Sequence, residues 1–251
     1  MRVIKIGGRV QRDPRLATTL AAEWLQAPGA LCVVHGGGDE VSALQGRLGI
    51  ETTFVRGRRL TSAQDLELLR MALSGAANKR LVSSLLDAGA PAVGISGEDG
   101  ALLLATRADP ALGYVGNATA ANVAPVRALM NAGFLPIVSP LARDASNGGP
   151  LNVNADDAAA MLAAALGAHE LILVSDVSAV LRGGGRCETL DEYEARALIA
   201  SGEVTGGMTP KLEAALFAIA RGVATVRIGN LDAIGSDSSG TTIFAAAPVS
   251  T

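Results

Sequence analysis

Lysine is scarce in this sequence, and so are aromatic residues, cysteine and histidine. Only three of the 21 cationic side chains among 251 residues are lysine, aromatic residues make up 3%, and the formal net charge is −3. Because proteins that bind nucleic acid usually present a basic face or stacking aromatic side chains, nucleic acid is not an expected partner. Two cysteines far apart and two histidines without ligand-like neighbours indicate neither a disulfide framework nor a zinc site.

Long apolar runs are lacking as well. The N-terminal run MRVIKI is too short for a signal sequence, and no run approaches the ~18 apolar residues of a membrane span. We therefore expect no membrane partner, and the cysteine usage favours a reducing cytoplasm. Since 49% of the residues are apolar, the chain can bury a large core, and we expect its partners to be small molecules.

Short β-branched runs alternate with alanine- and leucine-rich stretches, which predicts an α/β fold with helices on both faces of a mainly parallel central sheet. The predicted strands lie near residues 2–6, 30–35, 91–95, 134–138, 170–175 and 224–228. The predicted helices cover 14–26, 38–48, 62–88 with a break near Gly75, 123–132, 155–167, 191–201 and 208–221. Residues 100–120 predict an antiparallel hairpin and 140–153 a polar loop, and a boundary near Gly167 divides the chain into two lobes.

Two glycine-rich turns follow predicted strands and suggest an anion site. KIGG at 5–8 places Lys5 just before two glycines, and VHGGG at 34–38 leads directly into a helix. Glycines let backbone N–H groups approach an anion closely, and the positive end of a helix dipole adds to the attraction. The P-loop and dinucleotide-binding patterns are both missing from the sequence, so phosphate binding would need another fold.

HGGG also occurs as the oxyanion-hole motif of lipases and esterases, which makes a serine hydrolase the rival from another enzyme class. The nearest approach to a nucleophile elbow, GISGE at 94–98, lacks the final glycine, and His169 has no matching acidic partner downstream. For His35 we expect a hydrogen bond to the backbone at the strand end rather than a role as catalytic base.

The other two lysines lie in different settings. Lys211 follows GGMTP at 206–210, where Pro210 marks the first turn of a helix. A lysine in that turn opposes the helix dipole unless an anion lies nearby, so Lys211 is a candidate for binding an anionic ligand. Lys79, in the helical stretch GAANKR, is interpreted as a structural or rim residue.

Two polar clusters complete the candidate residues. In NVNADD, Asn154 is expected to cap a helix, which leaves Asn152 unexplained and Asp156 as a candidate for orienting an ammonium group. The arginines in RGRR at 56–59 either form a solvated surface or include one that clamps a substrate carboxylate through a bidentate hydrogen bond.

Together these motifs resemble one family over nearly the whole chain. KxGG, VHGGG, GxRxT, GxxNK, GISGEDG, LGYVG, NVNADxAA, LVSDV, GGMxPK and GTTI occur in the order found in N-acetylglutamate kinases, which belong to the amino acid kinase family. The resemblance implies the fold of that family, a three-layer sandwich in two lobes. Residues 1–167 would bind the acylated amino acid and form a dimer interface, and residues 168–251 would bind the nucleotide.

The resemblance also implies roles for individual residues. Lys5 and Lys211 would stabilise the transferring phosphoryl group, and Asp156 would hold both lysines. Arg59 would bind the α-carboxylate of the substrate, and Asn152 would contact the acylamino acid. Backbone N–H groups would bind the phosphates at Gly7, Gly8, Gly37 and Gly38, the last two also contacting the substrate. The nucleotide would contact Lys5, Asp176, Gly207, Met208 and Lys211.

The implied reaction is transfer of a phosphoryl group from ATP to the γ-carboxylate of N-acetyl-L-glutamate, with Mg²⁺ held mainly by the nucleotide phosphates and no dedicated metal ligands in the protein. A kinase for a carrier-linked aminoadipate or glutamate is the runner-up, and glutamate, aspartate or uridylate kinases share the fold. A non-catalytic sensor would be expected to lose a lysine or the aspartate. The resemblance further implies an arginine-insensitive homodimer, because the arginine-inhibited hexamers carry a helix before the first strand, which here begins at residue 2.

Overall fold

A computed structural model describes residues 1–55 and 58–246 of the chain. Its centre is a sheet of eight strands in the order β14-β16-β15-β11-β1-β2-β8-β5, numbered along the chain. All six predicted strands are confirmed to within one residue, and they run parallel. They are β1 (Arg2–Ile6), β2 (Leu31–His35), β5 (Ala92–Ser96), β8 (Leu135–Ser139), β11 (Glu170–Val174) and β15 (Thr225–Gly229).

One end of the sheet carries two further strands that sequence patterns did not predict. β16 (Thr241–Phe244) pairs antiparallel with β15, and β14 (Thr189–Asp191) pairs with β16. Strands of three or four residues are too short to establish a period along the chain. A separate short hairpin, β12 (Leu181–Arg182) with β13 (Gly185–Arg186), was missed for the same reason.

The helices confirm the predicted pattern and differ mainly at their ends. They are α1 (Leu16–Gln26), α2 (Gly38–Arg47), α3 (Ala63–Leu69), α4 (Asn78–Asp87), α5 (Ala124–Asn131), α6 (Ala155–Leu166), α7 (Glu192–Ala200) and α8 (Met208–Ile219). The predicted break near Gly75 takes the form of a π-helical segment, Arg70–Ala77, which joins α3 to α4 without interrupting the helical path.

The two faces of the sheet bury separate hydrophobic layers. Val3 on β1 belongs to the layer covered by α6 and α8. Ile4 and Ile6 point the other way, into the layer covered by α1 and α4. This alternation follows from the period of two along a strand, and it produces the three-layer sandwich. None of the helices in the described ranges is long and apolar enough to cross a membrane.

A closed four-stranded barrel lies beside the sheet, in the order β10-β7-β6-β9. β6 (Leu103–Arg107) and β7 (Val115–Ala121) form the antiparallel hairpin predicted for 100–120. The prediction of a polar loop over 140–153 is wrong, because β9 (Leu141–Asp144) and β10 (Pro150–Val153) pair there. Leu141 and Leu151 are fully buried in these strands, and only the intervening polar residues, which dominate the sequence pattern, form a turn.

The topology gathers the sequence motifs at one edge of the sheet. Parallel strands all end at the same edge, so the glycines after β1 and those after β2 become neighbours there. Helix α6 begins at the same edge, where the Asn154 side chain accepts hydrogen bonds from the N–H groups of Asp156 and Asp157, which confirms the predicted cap. Gly167 follows the last residue of this helix, and its φ of 68° lies in the left-handed region that favours glycine.

Candidate active site

A cleft of about 370 Å³ opens at this edge of the sheet. Its walls come from the end of β1, the glycine turn before α2, the strand β10 and the start of α6. A short hairpin, β3 (Phe54–Val55) with β4 (Arg58–Arg59), forms the remaining side. Seven of the residues predicted for the site line this cleft: Lys5, Gly8, Gly37, Gly38, Arg59, Asn152 and Asp156.

Two lysines share one aspartate at the base of the cleft. Lys5 Nζ lies 2.8 Å from Asp156 Oδ1, and Lys211 Nζ lies 3.4 Å from Asp156 Oδ2. Lys211 also donates a hydrogen bond to the carbonyl of Gly207, 3.4 Å away. Asp156 therefore supplies the anion that a lysine in the first turn of α8 requires, and it is itself favoured by its place in the first turn of α6.

Burial and the mutual charges of this cluster shift the pKa values of Lys5 and Asp156. Burial lowers the pKa of Lys5, against the raising effect of Asp156, and the charge of Lys211 lowers it further. Burial alone would raise the pKa of Asp156, but the ammonium groups of Lys5 and Lys211 hold it below its ordinary value. Asp156 is thus ionised at neutral pH, and the cluster carries two positive charges and one negative charge where both lysines are protonated.

The glycine turns lie against each other beside the lysines. A Cβ atom added to Gly8 would lie 3.6 Å from the nitrogen of Gly37 and 3.7 Å from that of Gly38. No described residue accepts a hydrogen bond from the N–H of Gly8, Gly37 or Gly38. Gly7 differs, because it does not line the cleft and its N–H donates to the carbonyl of Val174 at 2.9 Å, continuing the pairing of β1 with β11.

Arg59 lies in the wall of the cleft and is almost fully buried, with 8% of its surface exposed. Its Nη2 donates to the carbonyl of Gly38 and to Ser42 Oγ, both at 2.9 Å, and its Nη1 donates to Gln45 Oε1. The guanidinium also stacks over the ring of Phe54, 4.9 Å from its centre. The hairpin and α2 therefore hold this arginine in one orientation.

The other two arginines of that cluster differ from Arg59. Arg58 is half-buried at the mouth of the cleft, where it donates to Asn117 Oδ1 at 2.6 Å and lies 3.5 Å from Asp157 Oδ2. It is therefore not a freely solvated residue. Arg56 lies outside the described residues. On the opposite wall, Asn152 donates from Nδ2 to Thr61 Oγ1 at 3.0 Å, so its amide oxygen is available to the cleft.

Of the residues predicted to contact the nucleotide, Lys5 lines the cleft, and the others lie beyond it, after β11 and around the start of α8. Gly207 precedes this helix and Met208 begins it, next to a second cavity of about 440 Å³ with Val177 and Val204 in its walls. Lys211 joins this region to Asp156 in the main cleft. Asp176 follows β11 and is exposed, with Oδ2 accepting a hydrogen bond from Arg9 Nη1 at 2.8 Å.

Both histidines make other contacts, so neither is placed to act as the catalytic base of a serine hydrolase. His35 Nδ1 donates to the carbonyl of Gly36 at 2.8 Å, as expected, and its Nε2 accepts from Asn78 at 3.1 Å. Burial lowers the pKa of His35 to about 4, so the ring is neutral and structural. His169 lies 2.9 Å from the N-terminal amino group, at the start of β11. Ser96 Oγ accepts a hydrogen bond from the N–H of Glu98.

The hydrogen bonds of Lys79 agree with its interpretation as a structural or rim residue. Its Nζ donates to the carbonyl of Gly94 at 2.9 Å and to Asn78 Oδ1 at 3.1 Å, away from the main cleft.

Several residues in the walls of the cleft were not singled out from the sequence. They include the apolar Leu69, Leu73, Val115 and Pro140. The buried polar pair Gln45 and Asp65, which contacts Arg59 through Gln45, was not singled out either. Gln45 could have been found, because it interrupts the apolar stripe of α2 next to Val41.

Asp157, beside the lysine cluster, gives a test of the electrostatics. Burial raises the pKa of Asp157 to about 6, although the charge of Arg58 acts to lower it. The unfolded chain loses this proton near pH ~4, so the folded state binds more protons in that window and loses stability as pH rises through it. Asp157→Asn should therefore raise the thermal midpoint above about pH 6.5 by the equivalent of roughly 1–2 kcal/mol, and hardly at all near pH 4.5. A midpoint difference that is constant across this pH range would contradict the assignment.

Fold and cleft together define a class of protein: an α/β sandwich whose cleft is lined by glycine turns and a buried lysine–aspartate–lysine cluster. The chain belongs to the amino acid kinase family, whose sequence profile matches residues 1–230. It is 42% identical to the acetylglutamate kinase of Paracoccus denitrificans over 230 residues, covering 90% of this chain and 76% of that protein. The acetylglutamate kinase of Chloroflexus aurantiacus is also 42% identical, with 91% of each chain covered. A crystal structure from Streptococcus mutans UA159 superposes with a TM-score of 0.88 at 31% identity, over 98% of both chains.

Proposed function

We propose that this protein transfers the γ-phosphoryl group of ATP to the γ-carboxylate of N-acetyl-L-glutamate in arginine biosynthesis. The observation that carries the proposal is the pair of lysines held by one buried aspartate at the base of the cleft. The similarity to two acetylglutamate kinases supports the choice of substrate. The alternative of a carrier-linked substrate is not favoured, because these relatives act, by their names, on acetylglutamate.

The proposed acceptor needs no general base. A side-chain carboxylate with a pKa near ~4.3 is ionised at neutral pH and can attack phosphorus directly. The difficulty is to bring this anion against a polyphosphate. Lys5, Lys211 and the N–H groups of Gly8, Gly37 and Gly38 would stabilise the charge on the transferring group and align donor with acceptor. Asp156 keeps both ammonium groups at fixed positions and leaves the cluster with a net positive charge.

The two substrates would bind to different lobes. We propose that residues 1–167 bind the acylated amino acid, with Arg59 on its α-carboxylate and Asn152 on its acylamino group. The part of the chain after Gly167 would bind ATP, with its base in the cavity beside Met208 and its phosphates near the ammonium group of Lys211.

Magnesium would arrive on the nucleotide. Within the described ranges, no group of three or more His, Cys, Asp or Glu side chains is arranged so that it could hold a metal ion. Both oxygens of Asp156 already face ammonium groups, and Asp176 is paired with Arg9. This donor set fits a metal ion bound mainly by phosphate oxygens, as Mg²⁺ commonly is in kinases. The bound ion would supply charge neutralisation between the phosphate groups.

A panel of acceptors tests the proposal. ADP release should be measured with MgATP and N-acetyl-L-glutamate, glutamate, aspartate, aminoadipate and N-acetylaspartate. We expect N-acetyl-L-glutamate to give the highest kcat/KM by more than tenfold. A higher kcat/KM for an unacetylated amino acid would contradict the proposed substrate, although the phosphotransfer assignment would stand.

Arg59→Ala should raise the KM for the amino-acid substrate and leave the KM for ATP nearly unchanged. The reason is the loss of a charged hydrogen bond to the α-carboxylate, which typically costs ~1.5–3 kcal/mol, or roughly 10- to 100-fold. Arg127→Ala on α5 is a suitable control, because that arginine is exposed and remote from the cleft. A similar rise in both KM values would place Arg59 in general support of the cleft instead.

We further propose that the enzyme is a homodimer and works in the cytoplasm. Large apolar side chains on the π-helical segment and α4 are open to solvent, with Met71 61% and Leu86 53% exposed, and a second copy could cover them. Cys32 and Cys187 are both free thiols, as a reducing compartment requires. Sedimentation equilibrium should give about twice the chain mass of 25.3 kDa, and a single-chain mass would rule the dimer out.

A further inference from the structure

Every hydrogen-bond partner that the described residues give the Arg59 guanidinium is neutral. Gln45, Ser42, Thr52 and the carbonyl of Gly38 accept from it, and none of these groups carries a charge. A buried arginine is normally paired with a carboxylate, because an uncompensated charge is costly inside a protein. Arg59 thus keeps its positive charge available to the cleft that it lines.

The nearest charge compensation reaches Arg59 through an amide. Gln45, 1% exposed, accepts from Arg59 at Oε1 and donates from Nε2 to Asp65 Oδ1 at 2.6 Å. Thr52 Oγ1 also donates to Gln45 Oε1, at 2.8 Å. The orientation of the amide is fixed, since an arginine can only donate and an ionised aspartate can only accept. The order is therefore cation, amide, anion.

Asp65 is fixed as firmly as the amide. It lies in the first turn of α3, where its Oδ2 accepts from the N–H and the hydroxyl of Ser62 at 2.8 and 2.7 Å. Burial alone would raise the pKa of Asp65, but the hydrogen bonds from Ser62 and Gln45 and the charge of Arg59 keep it below its usual value. Its carboxylate is ionised at neutral pH and cannot rotate toward Arg59 without breaking the helix cap.

We propose that Gln45 and Asp65 are positioning residues for substrate binding, which orient Arg59 through a neutral amide so that its charge remains free for the carboxylate of the substrate. This inference rests on the proposed role of Arg59. A carboxylate in the place of the amide would hold the guanidinium equally well but would neutralise it and compete with the substrate. The hydrogen bond to Asp65 fixes the amide of Gln45, and the amide in turn orients Arg59 without adding a charge at the cleft.

Gln45→Glu tests this arrangement with almost no change in shape. At pH 8 the new carboxylate would pair directly with Arg59, and we expect the KM for the amino-acid substrate to rise by about tenfold or more. The KM for ATP should stay within about twofold of the parent. Gln26→Glu on α1 is the matched control, because Gln26 is exposed, and it should alter neither constant.

The pH dependence separates this role from general support of the fold. Arg59 from β4 and Asp65 from α3 face Gln45, and Asp39 at the start of α2 adds to the field at Arg59. In Gln45→Glu two carboxylates would meet at hydrogen-bond distance, so they would share one proton well above the usual carboxyl pKa. That proton restores a neutral link, so the ratio of variant KM to parent KM should fall as pH is lowered from about 8 to about 5.5. A raised ratio that is flat across this range would overturn the proposal.

Asp65→Asn provides the second variant, and Glu194→Gln its matched control. Asp65→Asn removes the anion that orients the amide and should raise the KM for the amino-acid substrate about fivefold or more, with the KM for ATP unchanged. Glu194 holds the same capping-box position at the start of α7 and does not line the cleft, so Glu194→Gln should lower the thermal midpoint without changing either KM. An unchanged KM in both Gln45→Glu and Asp65→Asn, while Arg59→Ala raises it, would overturn this inference and leave the proposed function standing. If Arg59→Ala also has no effect on KM, the proposed role of Arg59 fails first.

Discussion

Lys211→Arg is expected to lower kcat by roughly 10²-fold while the fold and much of the nucleotide affinity are kept. Lys211 Nζ lies between Asp156 Oδ2 and the carbonyl of Gly207, 3.4 Å from each. A guanidinium is wider and planar and cannot place its charge at the same point. A displacement of about one ångström is enough to lose the contribution of a preorganised charge to the transition state.

Lys79→Arg is the control for this substitution. Lys79 is exposed and contacts the carbonyl of Gly94 rather than the cleft, so its replacement should leave kcat within about twofold of the parent. Turnover and thermal midpoint should be measured for both variants. Near-normal turnover in Lys211→Arg would remove Lys211 from the catalytic group, and a large fall in its midpoint would show that its role is structural.

Asp156→Asn should have an effect of similar or greater size on kcat, by another route. Lys5 is buried and its pKa is already lowered, and the charge of Asp156 is the main cause acting against this decrease. Without that charge the pKa of Lys5 falls further, so a larger fraction of the protein carries a neutral amine at the pH of the assay. We expect kcat near neutral pH to fall by roughly 10²-fold or more, since one preorganised charge is lost and the other is no longer held in place.

The stability of Asp156→Asn should also depend on pH in a defined direction. A lysine whose folded-state pKa lies below its unfolded value binds a proton more readily in the unfolded chain, so stability increases with pH over the interval between the two values. The thermal midpoint of Asp156→Asn should therefore rise, as pH approaches the ordinary lysine pKa of ~10.4, more steeply than that of the parent. Asp157→Asn, one residue further along α6 and outside the lysine cluster, should retain most of the turnover. Equal loss of kcat in both variants would mean that the start of α6, rather than this carboxylate, matters.

Local signals in the sequence were sufficient for most of the fold and for the residues at the base of the cleft. The pattern of β1, with Lys5 before two glycines, predicted both the strand and the end of it that borders the cleft. Asn154 and Gly167 each have a side-chain or backbone property that fixes a helix terminus, so α6 and the position of Asp156 followed from the sequence.

Long-range packing could not be predicted in the same way. β9 and β10 are four-residue strands whose pairing depends on closure of the barrel, and the polar turn between them obscured their apolar residues. The link between Arg59 and Asp65 runs through Gln45 and joins three elements, β4, α2 and α3, and nothing in the spacing of these residues indicates it. Gly7 illustrates a smaller difference, because the resemblance implied a phosphate contact and its N–H instead continues the sheet.

Trapping of the product with hydroxylamine tests the central claim most directly. Acyl phosphates react with hydroxylamine to give hydroxamates, so the protein should be incubated with MgATP, N-acetyl-L-glutamate and hydroxylamine, and both ADP and hydroxamate quantified. We predict one equivalent of the γ-hydroxamate for each ADP in the parent protein, and at most a few per cent of that rate in Lys211→Arg. Formation of ADP without hydroxamate would contradict phosphoryl transfer to a carboxylate.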